Sequence, residues 1–330
     1  MNLEEFKKEQ EKLICKPVLS VYKNGNHYVA IFADGTKIKE TVDPEADHFT
    51  HEFAENSDIK ITDYCDGGCV YCHENSTIKG VHGDLKKIEP MLDTLHEGTE
   101  MAVGGGNALA HPDLIWFLEK LKSKGVIANI TINQRHLQPY KDLICKLVAE
   151  KLVNGIGVSL TDSSNVDDFK FIDTLGENVV IHTIAGILTE KDIECLKHRK
   201  VLILGYKDLR RGHMLLEKES ESIKKNIEWL KGFLPIMRHI CKVISFDCLG
   251  IEQINPKKIF NMTDEMYNSL FQGSDTDVTD SEGNITCSTF YIDVPNMTVA
   301  RMSTAALDQR FKFDGTENVR DLFKISTKGW

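Results

Sequence analysis

Cys65-Asp66-Gly67-Gly68-Cys69-Val70-Tyr71-Cys72 places three thiols within eight residues, spaced C-x3-C-x2-C. Neither a helix nor a regular strand aims three side chains at one point with that spacing. A loop does, and Gly67-Gly68 gives the backbone the freedom to form one. Three thiolates make a soft donor set suited to three irons of a cubane [4Fe–4S] cluster. No fourth cysteine stands nearby, the next being Cys145, so one iron of such a cluster stays open to a further ligand. With His73, the same cysteines would instead complete a structural zinc site.

Outward from this loop the chain alternates strand and helix patterns. Residues 59–62 read as a strand that ends at the cysteine loop. Further β-branched runs follow at 100–103, 127–132, 155–160, 179–184 and 201–204. Helical patterns separate them: 85–95, with Pro90 delaying its start, then 113–124, 140–152, 165–175 and 190–198, with a long helix at 220–233 beyond the sixth strand. This rhythm predicts a parallel sheet with right-handed crossovers. The expected fold class is α/β, a partial (β/α)6 TIM-like barrel with a small N-terminal β-meander and a C-terminal extension. The meander is expected in residues 18–41, where Asn24-Gly25 and Asp34-Gly35 mark hairpin turns, behind a short helix with Leu3 and Phe6 on its apolar side. The expected boundaries are 1–57 for meander and linker, 58–240 for the barrel, and 241–330 for a substrate or cap segment. The last contains a strand at 242–248, a helix at 257–271, an acidic loop at 273–284, two antiparallel strands at 285–294 and 297–302, and a short final helix. In barrels the chemistry sits at the C-terminal ends of the strands, where the cysteine loop falls. The meander and the C-terminal segment are expected to cap that mouth.

The cysteine motif, with aromatic Tyr71 before its last cysteine, resembles the hallmark of the radical S-adenosylmethionine (SAM) enzymes. A second stretch supports the resemblance. Gly104-Gly105-Gly106-Asn107-Ala108-Leu109-Ala110-His111-Pro112 follows the second barrel strand, where the family carries Gly-Gly-Glu-Pro. Asn107 replaces the usual Glu and Ala108 the Pro, so the amide carbonyl would accept from an ammonium without bringing charge. The resemblance covers about residues 58–212. It implies a [4Fe–4S] cluster on Cys65, Cys69 and Cys72 whose open iron chelates SAM. It also implies reductive cleavage of SAM to methionine and a 5′-deoxyadenosyl radical, and hydrogen abstraction from a substrate C–H bond. By the same resemblance, Tyr71, Gly105, Gly106, Asn107, Asn133, Ser159 and Gly186 are the expected SAM contacts, with Gln134, Thr161 and Asp162 as further candidates. Cys248 is a candidate hydrogen donor of the kind found in radical epimerases, with Cys287 next. Implied partners are SAM, a reductant such as flavodoxin or ferredoxin, and a peptide or nucleoside substrate.

The whole chain sets outer bounds. Its 330 residues are 41% apolar and 27% charged, with net charge −10, an ordinary globular composition that argues against a broad nucleic-acid-binding face. No apolar run reaches the ~18–20 residues of a membrane span. Nine cysteines, an odd number, fit a reducing cytoplasm better than a disulfide framework. Peptide modification is the favoured reading. Lys207, Arg210 and Arg211 after the sixth strand would serve as a phosphate or carboxylate clamp if the substrate were a nucleoside or a nucleic-acid base. The reading from another class is a non-catalytic, zinc-stabilised structural protein.

Overall fold

The computed structural model describes residues 2–13, 16–43, 45–46, 48–271 and 278–328. Chain order begins with α1 (Leu3–Leu13), β1 (Val18–Asn24), β2 (His27–Phe32) and β3 (Lys37–Thr41). It continues with β4 (Asn56–Thr62), α2 (Glu89–Leu92), β5 (Glu100–Gly105), α3 (Leu114–Ser123), β6 (Ile127–Asn133), α4 (Lys141–Ala149), β7 (Gly155–Ser159), α5 (Val166–Thr174), β8 (Val179–Ile184) and β9 (Lys200–Leu204). It closes with α6 (Arg211–Ile240), β10 (Val243–Phe246), α7 (Cys248–Ile254), α8 (Pro256–Ile259), α9 (Asp264–Leu270), β11 (Thr289–Asp293), β12 (Thr298–Ala300), β13 (Phe311–Lys312) and α10 (Val319–Ser326).

β1–β3 form a three-stranded antiparallel meander. Its turns use Gly25 and Gly35, both with positive φ, as the dipeptide signals require. Phe6 of α1 is fully buried and stacks on Tyr28 of β2, ring centroids 5.5 Å apart.

The main sheet has ten strands in the order β10-β9-β8-β7-β6-β5-β4-β11-β12-β13. From β10 to β11 every neighbouring pair is parallel, while β12 and β13 add antiparallel. The order is linear, so this is an open partial barrel. It is longer than six strands because β10 and β11 add parallel to its two ends. β11 returns from the C-terminal segment to pair with β4, placing Tyr291 opposite Asp58 and Asp293 opposite Lys60. No local pattern announces that pairing. Along the strands, residues such as Ile59, Ile61, Met101, Val103, Ile130 and Ile132 face the helices and are buried with Phe117, Leu118 and Leu121 of α3. Their neighbours at period two face the barrel interior.

Some elements are shorter than the periodicity suggests. The helix expected over 85–95 is a single turn, because Pro90 sits at its start with no N–H to extend it backwards. The helix expected over 190–198 is two 3-10 turns. Of the acidic loop expected at 273–284, residues 273–277 lie outside the described residues. No helix among the described residues is long and apolar enough to cross a membrane.

The meander does not cap the mouth. Asn178 just before β8 donates to Ala33, and Lys200 at the start of β9 donates to Asp34 at 2.7 Å. Both mark the N-terminal rim, opposite the cysteine loop. The linker after β3 delivers the chain to the start of β4, at this same rim.

Candidate active site

The C-terminal rim of the barrel opens into a cleft of about 380 Å³. Cys65, Cys69 and Cys72 all line it, together with Gly104, Gly105, Gly106, Asn133, Ser159 and Tyr71. The sequence therefore placed most of its site residues in one cavity. The cysteine loop begins where β4 and β5 slip register between Lys60 and Thr62, and there Gly105 takes φ +113°. A Cβ on Gly106 would stand 2.1 Å from the Tyr64 carbonyl oxygen. These two glycines thus let the β5 turn press against the cysteine loop. Gly104 differs: a Cβ there would meet nothing within 4 Å, because it points into the cleft.

Side chains from distant strands brace the loop. Asn133, last residue of β6, donates from Nδ2 to the Cys69 Sγ at 3.2 Å, and the Gly67 N–H lies 3.4 Å from the Cys65 Sγ. Arg135 donates to the Gly67 carbonyl. Arg211, at the start of α6, donates to the carbonyls of Cys69 (2.9 Å) and Ser76. Arg210 reaches the His73 carbonyl at 2.9 Å. The two arginines expected to clamp a substrate anion are thus spent on the loop, and only Lys207 of that basic run lines the cleft. Burial pushes the Cys65 and Cys69 thiols up, with Arg211 and Arg135 respectively pulling back. Burial likewise pushes the Tyr71 phenol up to about 12. Burial thus disfavours the bare thiolate forms of Cys65 and Cys69.

Other expected contacts go elsewhere. Asn107 is buried behind the loop, its Nδ2 donating to Asp66 Oδ1 at 3.0 Å and to Tyr140 at 3.3 Å; its Oδ1 has no partner, and it does not line the cleft. Gln134 is a staple: its Oε1 accepts from the N–H groups of Thr161 and Asp162 at 2.9 Å, and its Nε2 donates to Asp168. With Thr161 and Asp162 it borders a separate hollow. Gly186 packs against α6, where a Cβ would meet Ile223 at 2.7 Å, while the next residue, Ile187, reaches the cleft. Cys248 is exposed on α7, beside edge strand β10, and Cys287 is buried; neither lines the cleft. His73 does, its Nε2 lying 3.3 Å from Lys207 and 3.4 Å from Glu74.

The cleft floor holds charges that the sequence reading passed over. Lys60 is 4% exposed and contacts Asp63, Glu74 (3.1 Å) and Asp293 (3.3 Å). Burial alone would lower its pKa, but Glu74, Asp293 and Asp63 reverse this and hold it above the ordinary lysine value. Tyr291 donates to Glu74 at 3.3 Å. Asp58, whose side chain opens onto the cleft, has its pKa raised by desolvation among the surrounding walls, partly offset by Asn56, Lys207 and Arg301. His182 of β8 is held neutral, its pKa lowered to about 4 by burial. The signal for Asp58 and Lys60 was present: they alternate with Ile59 and Ile61 at strand period, so they point into the barrel. Tyr291 and Asp293 had no comparable signal.

The Radical SAM superfamily model matches residues 59–175. The chain carries a radical SAM domain. The match spans β4 to α5, including the cysteine loop and the glycine turn. Radical SAM enzymes use a [4Fe–4S] cluster and SAM, and the matched stretch is the part of this chain that carries the three clustered cysteines. No curated protein sequence matches the chain. Among solved structures it is similar to Streptococcus suis SuiB bound to S-adenosylmethionine, with TM-score 0.57 and 13% identity over 84% of this chain and 67% of that one. It is also similar to SuiB bound to the precursor peptide SuiA, with TM-score 0.55 and 13% identity over 85% and 66%. The chain spans about two thirds of the length of those structures, and at this identity the likeness is one of fold.

Proposed function

We propose that Cys65, Cys69 and Cys72 hold the [4Fe–4S] cluster, that SAM occupies the adjoining cleft, and that the enzyme modifies a peptide by abstracting hydrogen from a C–H bond. One observation carries the reading: three thiols from one loop line a single cleft at the C-terminal ends of parallel strands, and no fourth cysteine lines it among the described residues. That donor set fits a cubane with one open iron. When bound, cluster and SAM together supply reductive cleavage to a 5′-deoxyadenosyl radical.

The chain's own residues prepare that event. Asn133 and the Gly67 N–H place donors at two sulfurs, and such bonds raise a cluster's reduction potential. Arg135 and Arg211 bring positive charge to the loop and fix its carbonyls. Gly104 leaves space for the cofactor, Ser159 and Tyr71 border it, and Leu160, Ile184, Ile187 and Leu204 form an apolar wall that keeps water from a reactive intermediate. Lys207, with Ser303 at 3.3 Å, offers a cation to a substrate carboxylate.

The peptide reading is supported by the fold shared with SuiB and by exposed apolar side chains, Val70, Leu209 and Met302, on three loops beside the cleft. The nucleoside reading loses its phosphate clamp, since Arg210 and Arg211 are engaged with the loop. The test is anaerobic reconstitution with iron and sulfide, then SAM and dithionite, with 5′-deoxyadenosine read by chromatography. We expect the product from the native chain and none above background from Cys69→Ala. Equal turnover in that variant would sink the assignment.

A further inference from the structure

A second cluster of metal-ligating side chains lies at the opposite rim. His27 of β2, His51 of the linker and Glu55 just before β4 have ligand atoms all within 4.8 Å of one another, and all three residues are buried. The Glu55 Oε1 lies 2.7 Å from the His27 Nε2 and 3.1 Å from the His51 Nε2. From sequence, His48 and His51 could bind metal, but read better as surface histidines of a linker. In the structure the His51 side chain is 1% exposed.

The cluster is incompletely satisfied as it stands. The His51 Nδ1 has no partner, and its Nε2 meets only the Glu55 Oε1, at 3.1 Å. A buried polar atom without a partner is destabilising, so this imidazole has capacity for a further ligand. Ligands about 2 Å from a tetrahedral zinc lie roughly 3.3 Å from each other; the Glu55 to imidazole distances of 2.7 and 3.1 Å are shorter, and all three ligand atoms fall within 4.8 Å of one another. Asn26 Oδ1 lies 3.4 Å from the His27 Nδ1, the position of an outer partner that orients a ligating imidazole. Lys39 (3.1 Å) and Lys37 (3.8 Å) stand on the Oε2 side, and Lys37 is also held by Glu100 at 2.6 Å. Both leave Oε1 facing the imidazoles.

We propose that His27, His51 and Glu55 bind one zinc ion that fastens the N-terminal meander to the barrel. Two imidazoles and a carboxylate are a common zinc donor set. The site ties two segments together, β2 and the end of the linker that runs into β4. It is distinct from the cysteine cleft: the seven residues of β4 put roughly 20 Å between the two rims. All three ligands are buried, and a water would complete the tetrahedral set.

The test uses the full chain with Cys65, Cys69 and Cys72 all replaced by Ala, so that the cysteine loop holds no metal. After chelation and dialysis against zinc sulfate, elemental analysis is expected to find about one zinc per chain, and zinc is expected to raise the melting temperature. His51→Gln on that background should lower zinc affinity at least about tenfold with unchanged far-UV circular dichroism. No zinc retained by the parent, or equal retention by His51→Gln, overturns the proposal. Should His51→Gln not fold, cobalt added to the parent decides. Tetrahedral visible bands without thiolate charge transfer support the site; thiolate bands or no bands overturn it.

Discussion

At its N-terminal end β4 starts from Glu55, enclosed by two imidazoles and two lysines beneath the meander. At its C-terminal end it runs into Cys65, on a loop that is half-open and lines a cleft. The first end is closed by neighbours in sequence: β2, β3 and the linker lie within 30 residues of it. The second is braced by Asn133, Arg135 and Arg211, from β6 onward. In a parallel sheet each strand releases its chain at the same rim, so loops from the whole barrel converge there and leave room between them. Chemistry gathers at that rim, while the other can be sealed.

The largest contrast between the rims is expected from their buried lysines. Lys60→Met removes the nearest cation from both Glu74 and Asp293, leaving Arg210 at 3.6 Å and Arg310 at 3.7 Å, and should cost about 3 kcal/mol, together with loss of 5′-deoxyadenosine formation. Lys39→Met leaves Glu55 beside Lys37 and the imidazoles, so it should cost less, about 1–2 kcal/mol, with unchanged turnover per folded protein. Urea denaturation and chromatography read both; equal costs, or equal losses of turnover, would break the comparison. Next, Gly106→Ala drives a Cβ into the Tyr64 carbonyl and should cost about 1–3 kcal/mol and lower the iron retained per chain. Gly35→Ala, at the meander turn, meets no neighbour but has φ +86°, so it should weaken stability by about 1 kcal/mol without changing iron content.

A pH effect of similar or smaller size follows from His182. Its folded pKa, about 4, lies below the ordinary value near 6.5, so the unfolded chain takes up the proton first. The associated stability is fully present above pH 6.5, is lost as pH falls towards 4, and changes little below that. The loss should be about 2 kcal/mol, and His182→Gln should flatten it; urea midpoints at pH 7 and pH 4.5 check this. The finest effect is at the cluster. Asn133→Ala removes a donor to the Cys69 sulfur and should lower the reduction potential, read by a redox titration of the reconstituted protein.

Much of this site was legible because its signals are local. The C-x3-C-x2-C spacing, the glycine turn, and the alternation of Asp58 and Lys60 with isoleucines need only neighbours along the chain. Asn107 shows the limit. It occupies the motif position, yet its side chain turns to Asp66 and Tyr140, a choice set by partners 41 and 33 residues away. Arg210 and Arg211 read as an anion clamp until the loop carbonyls that absorb them are seen.

By itself the sequence determined the βα rhythm, the meander, the donor loop and its place at a strand's C-terminal end, since hydrophobic period and turn chemistry are properties of short segments. Only the tertiary structure decided that β11 pairs with β4 and delivers Tyr291 and Asp293 to the cleft. It also decided that the meander lies against the far rim, and that His51 is buried against His27 and Glu55. Those outcomes depend on which distant surfaces exclude water together, and burial of that kind is a property of the packed chain as a whole.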